Sequence, residues 1–307
     1  VKRRASTPGT NRDPRPTIHS SLAEGQIIAS YGRRCRVELP DGALLDCVTR
    51  GRQRDYACGD RVQVARKAPG QGVIESLRPR TSLLYRSDRA RQKMVAANVT
   101  RVVIVVAPVP TFYPDLVNRC LAAAEHGGLK ALILLNKSDL PQAQEAAAAL
   151  EPYRRLGYPV TALSARRDAT ALVPHLRGET SVLVGQSGMG KSTLINALLP
   201  DAAVRVAEVS AALDSGRHTT THARLYHLDA ATHIIDSPGM QEFGLHHLDA
   251  AALESAFIEL RPWLGQCRFR DCRHMTEPGC AVTAACERGE IGAGRLESYR
   301  RLVRENT

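Results

Sequence analysis

The chain has 307 residues, a net charge of +11 and a 43% hydrophobic fraction, enough apolar side chains for more than one folded core. Its longest apolar run, residues 102–109, is far short of the roughly 20 residues that span a membrane as a helix, which excludes that class. The basic excess suits a polyanionic partner, and only 4% of residues are aromatic, so aliphatic side chains must fill the cores.

Residues 1–21 carry Lys2, Arg3, Arg4, Arg12 and Arg15 with three prolines and little that is apolar. They read as a flexible basic arm, without the apolar core of a secretory signal. The eight cysteines are therefore expected to be reduced, in a cytoplasmic chain. From 22 to 80, short β-type runs at 25–29, 35–39, 44–48, 60–64 and 72–76 alternate with Gly and Asp turns. Five short strands at this spacing predict a small OB-type β-barrel. Arg33, Arg34, Arg50, Arg52, Arg54, Arg66 and Lys67 fall in or beside its turns, where such barrels meet nucleic acid.

Residues 81–255 form the next predicted unit, in which strands at 102–107, 132–135, 160–163 and 181–184 alternate with helices at 114–126 and 142–157. This is the pattern of a mainly parallel α/β sheet with ligands at its carboxyl ends. The strand at 181–184 runs into Gly185, Gln186, Ser187, Gly188, Met189, Gly190, Lys191 and Ser192, and a helix at 192–199 leads out and stops at Pro200. This fits GxxxxGK[ST] at every fixed position. The glycines let backbone N–H groups turn toward phosphate oxygens, Lys191 reaches the β- and γ-phosphates, and the Ser192 hydroxyl ligates Mg²⁺. Thr193 follows in the same first turn and is counted with the nucleotide-binding residues.

Asn136, Lys137, Ser138 and Asp139 read NKxD at a strand end. A carboxylate at Asp139 can accept the N1–H and exocyclic amine of guanine together, a donor pair that adenine lacks. Asn136 can bond the base or brace the phosphate loop, and the Lys137 stem can cover the ring. Ser164 and Ala165 would offer a backbone N–H to guanine O6. Asp236 and Gly239 bound a DxxG motif in which Asp236 holds Mg²⁺ through water and the Gly239 N–H senses the γ-phosphate. In the segment 215–221, Thr220 is the choice for a second hydroxyl on Mg²⁺. Met240 stands where many GTPases carry a water-orienting Gln, so His218 is the internal candidate for that role, with the alternative that the partner supplies the group. NKxD and Ser164-Ala165 precede the phosphate loop, the reverse of the usual order, which predicts a circularly permuted P-loop GTPase domain.

Residues 256–307 form the last predicted unit. Cys267, Cys272, His274 and Cys280 lie close together in sequence and suit tetrahedral zinc, with Cys286 as a competing fourth ligand. Arg268, Arg270, Arg273, Arg288 and Arg295 are expected to give this zinc-binding module a basic face, and a last helix at 295–305 adds Arg300, Arg301 and Arg304.

From residue 22 onward, the motifs NKSD, GQSGMGKST, GRHTTTHARLYHL, DSPGMQEFGL and CRFRDCRHMTEPGC, in this order, resemble the bacterial small-ribosomal-subunit-dependent GTPases of the RsgA or YjeQ family. The resemblance implies an OB-fold, a circularly permuted GTPase domain and a zinc domain. It also implies a late-acting assembly factor that binds the small (30S) ribosomal subunit and 16S rRNA, hydrolyses GTP to GDP faster when bound, and then leaves. Monomeric action away from membranes is expected. The basic arm lies outside the resemblance. A nucleic-acid-binding module with a regulatory nucleotide site is the competing reading. A P-loop ATPase or kinase is a third, which Asp139 opposes.

Overall fold

The computed structural model describes residues 22–32, 34–50, 55–87, 92–199, 222–240 and 243–306. The basic arm, Arg33, Arg52, Arg54, His218 and Thr220 lie outside them.

Five strands build the barrel: β1 (Leu22–Ser30), β2 (Arg34–Glu38), β3 (Leu44–Thr49), β4 (Arg61–Ala68) and β5 (Gln71–Leu77). They pair in the order β1-β2-β3-β5-β4, and β1–β4 pairing closes the ring. Alternation of buried and exposed residues along β2, β3 and β5 puts Val37, Leu45 and Ile74 inside with Ile27, Val62 and Val64, the period-2 burial of a closed sheet, antiparallel except where β3 and β5 run parallel. This is the OB-type barrel expected from the sequence. Several barrel arginines are already paired to acids: Arg50 to Glu75, Arg66 to Asp41 and Arg36 to Asp46. Arg34 and Lys67 remain exposed.

A hairpin, β6 (Leu83–Ser87) and β7 (Gln92–Ala97), joins the barrel to the sheet. Its apolar halves are separated by charged residues, and the sequence reading missed it. The sheet then follows, with β8 (Arg101–Val106), β9 (Lys130–Leu135), β10 (Val160–Ala162), β11 (Thr180–Val184), β12 (Arg224–His227) and β13 (His233–Asp236). The order β10-β9-β8-β11-β13 is all parallel, and β12 adds an antiparallel edge. β8 and β11 are buried almost throughout, as strands covered on both faces must be.

Helix α1 (Pro114–His126) covers this sheet. The single helix expected at 142–157 is two, α2 (Ala143–Ala149) and α3 (Glu151–Arg155), broken at the buried Leu150. Pro152 explains the break: it lacks an N–H and its ring would clash with the carbonyl four residues back, so it is tolerated only in the first turn of a new helix. After α4 (Val173–Leu176) and α5 (Lys191–Leu198), the C-terminal part contributes α6 (Ala250–Ala256), α7 (Ala281–Glu287) and α8 (Ala293–Asn306). Among the described residues no helix is long and apolar enough to cross a membrane.

α8 is seated on α1 through polar contacts. Arg119 forks onto Glu305 at 2.8 and 2.7 Å, and Asn118 donates to Ser298 Oγ at 2.7 Å. Arg295, expected on a basic face, is instead 5% exposed. It binds Glu259 at 2.6 and 3.1 Å, donates to Asn118 Oδ1 at 3.0 Å, and lies over the Phe257 ring. Arg300 also turns inward, donating to His274 O and Thr283 Oγ1. Removing one partner of a buried pair strands the other charge, at a cost of about 3–5 kcal/mol. Glu259→Ala is therefore expected to lower the denaturation midpoint of the C-terminal part, followed by the fluorescence of Trp263, the single tryptophan. The exposed pair Arg304–Glu297 is the control, and Glu297→Ala should cost less than about 1 kcal/mol. Equal shifts for the two variants would refute the buried-pair account.

Candidate nucleotide site and metal centre

The carboxyl ends of β8, β9, β10, β11 and β13 converge on a cavity of about 450 Å³. From the base-reading segments it is lined by Asn136, Lys137, Asp139, Ser164 and Ala165, and from the phosphate loop by Ser187, Gly188, Gly190, Lys191, Ser192 and Thr193. Gly239 also lines it, with Val109, Leu140, Arg166 and Ser237 as neighbours the sequence reading did not assign to the site.

The loop has the conformation its glycines permit. Gly188 and Gly190 have φ of +81° and +89°, the left-handed region that lets successive N–H groups form an anion-binding hollow. Gly190 is also required sterically, because a Cβ there would lie 2.4 Å from Asn136 Nδ2. The Lys191 ammonium donates to the carbonyls of Gly185 and Gln186 at 2.8 and 2.9 Å. Burial lowers its pKa and the Asp236 charge opposes that shift. Ser192 and Thr193 are exposed at the head of α5.

Asn136 is 1% exposed. Its Nδ2 donates to Met189 O at 2.9 Å and its Oδ1 accepts from the Ala165 N–H at 3.0 Å. Of the two roles left open by sequence, the structure shows the brace. Lys137 donates to Val109 O and Gly188 O at 2.6 and 2.7 Å. The Ser138 N–H bonds Leu163 O, and Ser138 does not line the cavity. The Ser164 hydrogen bond is the largest influence holding the Asp139 carboxyl below its usual range, with Arg166 and Arg167 adding to it.

Three residues of the phosphate-loop motif face elsewhere. Met189 is core. Gly185 is packed against the Val105 carbonyl. Gln186 accepts the N–H of Tyr113, the N-cap of α1, at 2.8 Å; no sequence signal marks this cap. At the end of β13 Asp236 is 3% exposed, and beyond it Ser237 donates to Leu183 O at 2.6 Å and the Met240 N–H bonds Gly185 O at 3.1 Å with its side chain in the core. Met240 is thus a packing residue.

In the C-terminal part, Cys267, Cys272, His274 and Cys280 place one donor atom each within 4.8 Å of one another, a group that could hold a metal ion. His274 Nδ1 lies 3.5, 3.6 and 3.3 Å from the three sulfurs in that order. Cys286 is outside the group. Local structure supports the donors: the Cys280 sulfur accepts the Thr283 N–H at the start of α7, Glu277 accepts from the N–H groups of Arg273, Met275 and Thr276, and Glu254 faces His274 Nε2 at 3.7 Å.

A phosphate loop, a guanine-reading segment and a DxxG strand end, gathered in permuted order at the carboxyl edge of one parallel sheet, define a circularly permuted P-loop GTPase with a barrel before it and a metal-cluster module after it. A family model for the RsgA GTPase matches residues 77–246. The chain is 51% identical, over 94% of its length and 93% of the relative's, to the small ribosomal subunit biogenesis GTPase RsgA of Nitrosospira multiformis, and 52% identical, over 91% and 90%, to that of Nitrosomonas europaea. Among solved structures it is similar to YjeQ from Thermotoga maritima (29% identity, TM-score 0.70, 93% of this chain and 98% of that one). It is likewise similar to YloQ, a circularly permuted GTPase (27%, TM-score 0.67, 95% and 98%). The chain belongs to the RsgA GTPase family.

Asp139→Asn exchanges a double acceptor for a group that also donates. It is expected to weaken GTP by roughly 10- to 100-fold, the loss of charge-assisted hydrogen bonds, and to favour xanthosine triphosphate. Unchanged GTP affinity in a competition titration would remove Asp139 from the base site.

Proposed function

We propose that this chain hydrolyses GTP in the biogenesis of the small ribosomal subunit, binding the subunit and its 16S rRNA late in assembly, turning over faster there, and leaving as GDP forms. The observation that carries the reading is the Asn136 brace, which joins guanine-reading and phosphate-binding loops into one cavity in a chain whose relatives carry the small-subunit name. The net charge of +11 suits rRNA. Lys191 and the loop N–H groups hold the phosphates, Asp139 selects guanine beside the Ser164-Ala165 turn, and Gly239 senses the γ-phosphate. Ser192, Thr220 and Asp236 would hold Mg²⁺, which neutralises charge on the β- and γ-oxygens when bound. The fold units are an arm at 1–21, the barrel at 22–80, the GTPase domain at 81–255 and the zinc module at 256–307, acting as a cytoplasmic monomer.

Zinc is the metal the donors favour. Zn–S bonds of about 2.3 Å and a Zn–N bond of about 2.0–2.1 Å give a tetrahedron with N···S edges of roughly 3.6 Å and S···S edges of roughly 3.8 Å. The N···S separations of 3.3–3.6 Å and the Cys267–Cys280 separation of 3.9 Å are close to these. Cys272→Ser should lose the zinc and unfold the module while GTP binding persists. One equivalent of zinc retained in elemental analysis would strike Cys272 from the ligands.

With Met240 in the core, the water-orienting group must come from elsewhere, and His218 is the candidate within the chain. His218→Ala should lower subunit-stimulated kcat by roughly 10²-fold with GTP affinity and subunit binding little changed. A variant that binds the subunit poorly but turns over normally once bound would make His218 a docking residue instead. The function itself is tested by GTP turnover with and without purified small subunits, where absence of stimulation refutes it.

A further inference from the structure

The arginines of the C-terminal module divide into two groups. Those on or near α8 and α7 are engaged within the protein: Arg295 with Glu259, Arg300 with His274 O, Arg304 with Glu297 and Arg288 with Glu290. Those at the metal cluster differ. Arg268, Arg270 and Arg273 are exposed and form no ion pair among the described residues. Between the first two of them sits Phe269, 42% exposed in a chain that buries most of its large apolar side chains. The Arg268 guanidinium lies over its ring, 5.5 Å from the centroid.

The segment that carries this group is held at both ends. Cys267 and Cys272 bracket it, and their sulfurs face His274 Nδ1 at 3.5 and 3.6 Å. The Arg268 N–H donates to Gly279 O at 3.0 Å, and the Cys272 N–H to Phe269 O. Four consecutive residues, Arg268-Phe269-Arg270-Asp271, are exposed between these anchors, so the ring is displayed on a braced knuckle. An exposed phenyl ring offers a π-face but no hydrogen-bonding atom. The three arginines beside it outnumber the acids Asp271 and Glu277, the latter already accepting from the N–H groups of Arg273, Met275 and Thr276, and offer sites for phosphates. An unstacked nucleobase uses both at once: its face stacks on the aromatic and its neighbouring phosphates meet the arginines. An acidic protein surface would use the arginines and gain little from the ring.

We propose that the knuckle is an RNA contact in which an unstacked base lies on Phe269 and the adjoining phosphates lie on Arg268, Arg270 and Arg273. This rests on the small-subunit reading and adds to it where, and by what chemistry, the module touches rRNA. The test compares Phe269→Ala, Phe269→Leu and Phe269→Tyr in the full chain, each checked for retained metal by elemental analysis, for affinity to purified small subunits. Stacking predicts that Tyr keeps the affinity while Ala and Leu both lose roughly 10-fold. It also predicts that Arg270→Ala lowers the slope of log affinity against log salt by about one, whereas Phe269→Ala leaves that slope unchanged. Leu performing as well as Phe would overturn the proposal in favour of an apolar contact with a ribosomal protein, and Ala performing as well would remove Phe269 from the interface. A second arm uses a short single-stranded RNA containing 2-aminopurine. Quenching by the wild-type chain that is lost in Phe269→Ala supports stacking; equal quenching by both, or none by either, overturns it. If wild-type protein fails to bind subunits, the functional reading falls, while the 2-aminopurine arm still decides the knuckle.

Discussion

The side-chain amide of Asn136 is the joint on which the nucleotide site depends. Its two ends reach the phosphate loop at Met189 and the base-reading turn at Ala165, segments 53 and 29 residues away. In a permuted chain the guanine-reading motif comes first, so its register with the phosphate loop is set across the sheet. The β8–β11 and β8–β9 ladders provide the coarse alignment, and the buried amide fixes the last ångström. Both of its hydrogen bonds are made out of water, where leaving either backbone group unpaired would cost about 1–3 kcal/mol. The next residue reinforces the joint from the open side, since Lys137, at φ +57°, ties Gly188 to Val109. The NKxD segment and the phosphate loop are thus joined by two consecutive side chains.

The barrel is attached at a consequential place. β1 pairs with β12 through Ala29 and Arg224, Tyr31 meets His222 edge to face at 5.1 Å, and Glu38 reaches His227, which in turn contacts His233. β12 is the strand that follows the threonine segment. On the other side, Gly59 fits against β7 so closely that a Cβ would lie 2.1 Å from the Ala97 carbonyl, and Asn98 donates to Gly59 O. The barrel is therefore fixed to both the entrance of the sheet and its antiparallel edge.

Much of this was legible in the sequence because the signals were local. Short β-type runs between Gly and Asp turns marked the five barrel strands, near-continuous apolar runs marked β8 and β11, and each motif lay at a strand end as its chemistry requires. The Cys267, Cys272, His274 and Cys280 group was readable from spacing alone. What stayed hidden depends on partners distant in sequence. Gln186 looks like a phosphate-loop residue, yet it caps α1. Arg295 looks like a surface cation, yet Glu259 and Asn118 bury it. Arg50 and Arg66 look available for nucleic acid, yet Glu75 and Asp41 engage them. The hairpin β6–β7 was missed because its strands are stabilised by docking on other segments, as in the pairing of Ser87 with Leu245. In each case composition gives the residue type, and only the fold decides which charge or amide it meets.

These distant contacts close a circuit around the DxxG segment. Gln186 holds the start of α1, and α1 holds α8 through Asn118 and Arg119. The end of α8 returns to the segment after DxxG, where Asn306 donates to Leu245 O and Leu248 O. That segment also receives the Ser87 N–H at Gly244 O, and the Met240 N–H closes the circuit on Gly185. Midway along α8, Arg300 grips the carbonyl of His274 in the metal cluster. The described residues on either side of DxxG are thus bonded, at Ser237, Met240, Gly244, Leu245 and Leu248, to β11, the phosphate loop, the hairpin and α8, and α8 is bonded in turn to the cluster that displays Phe269.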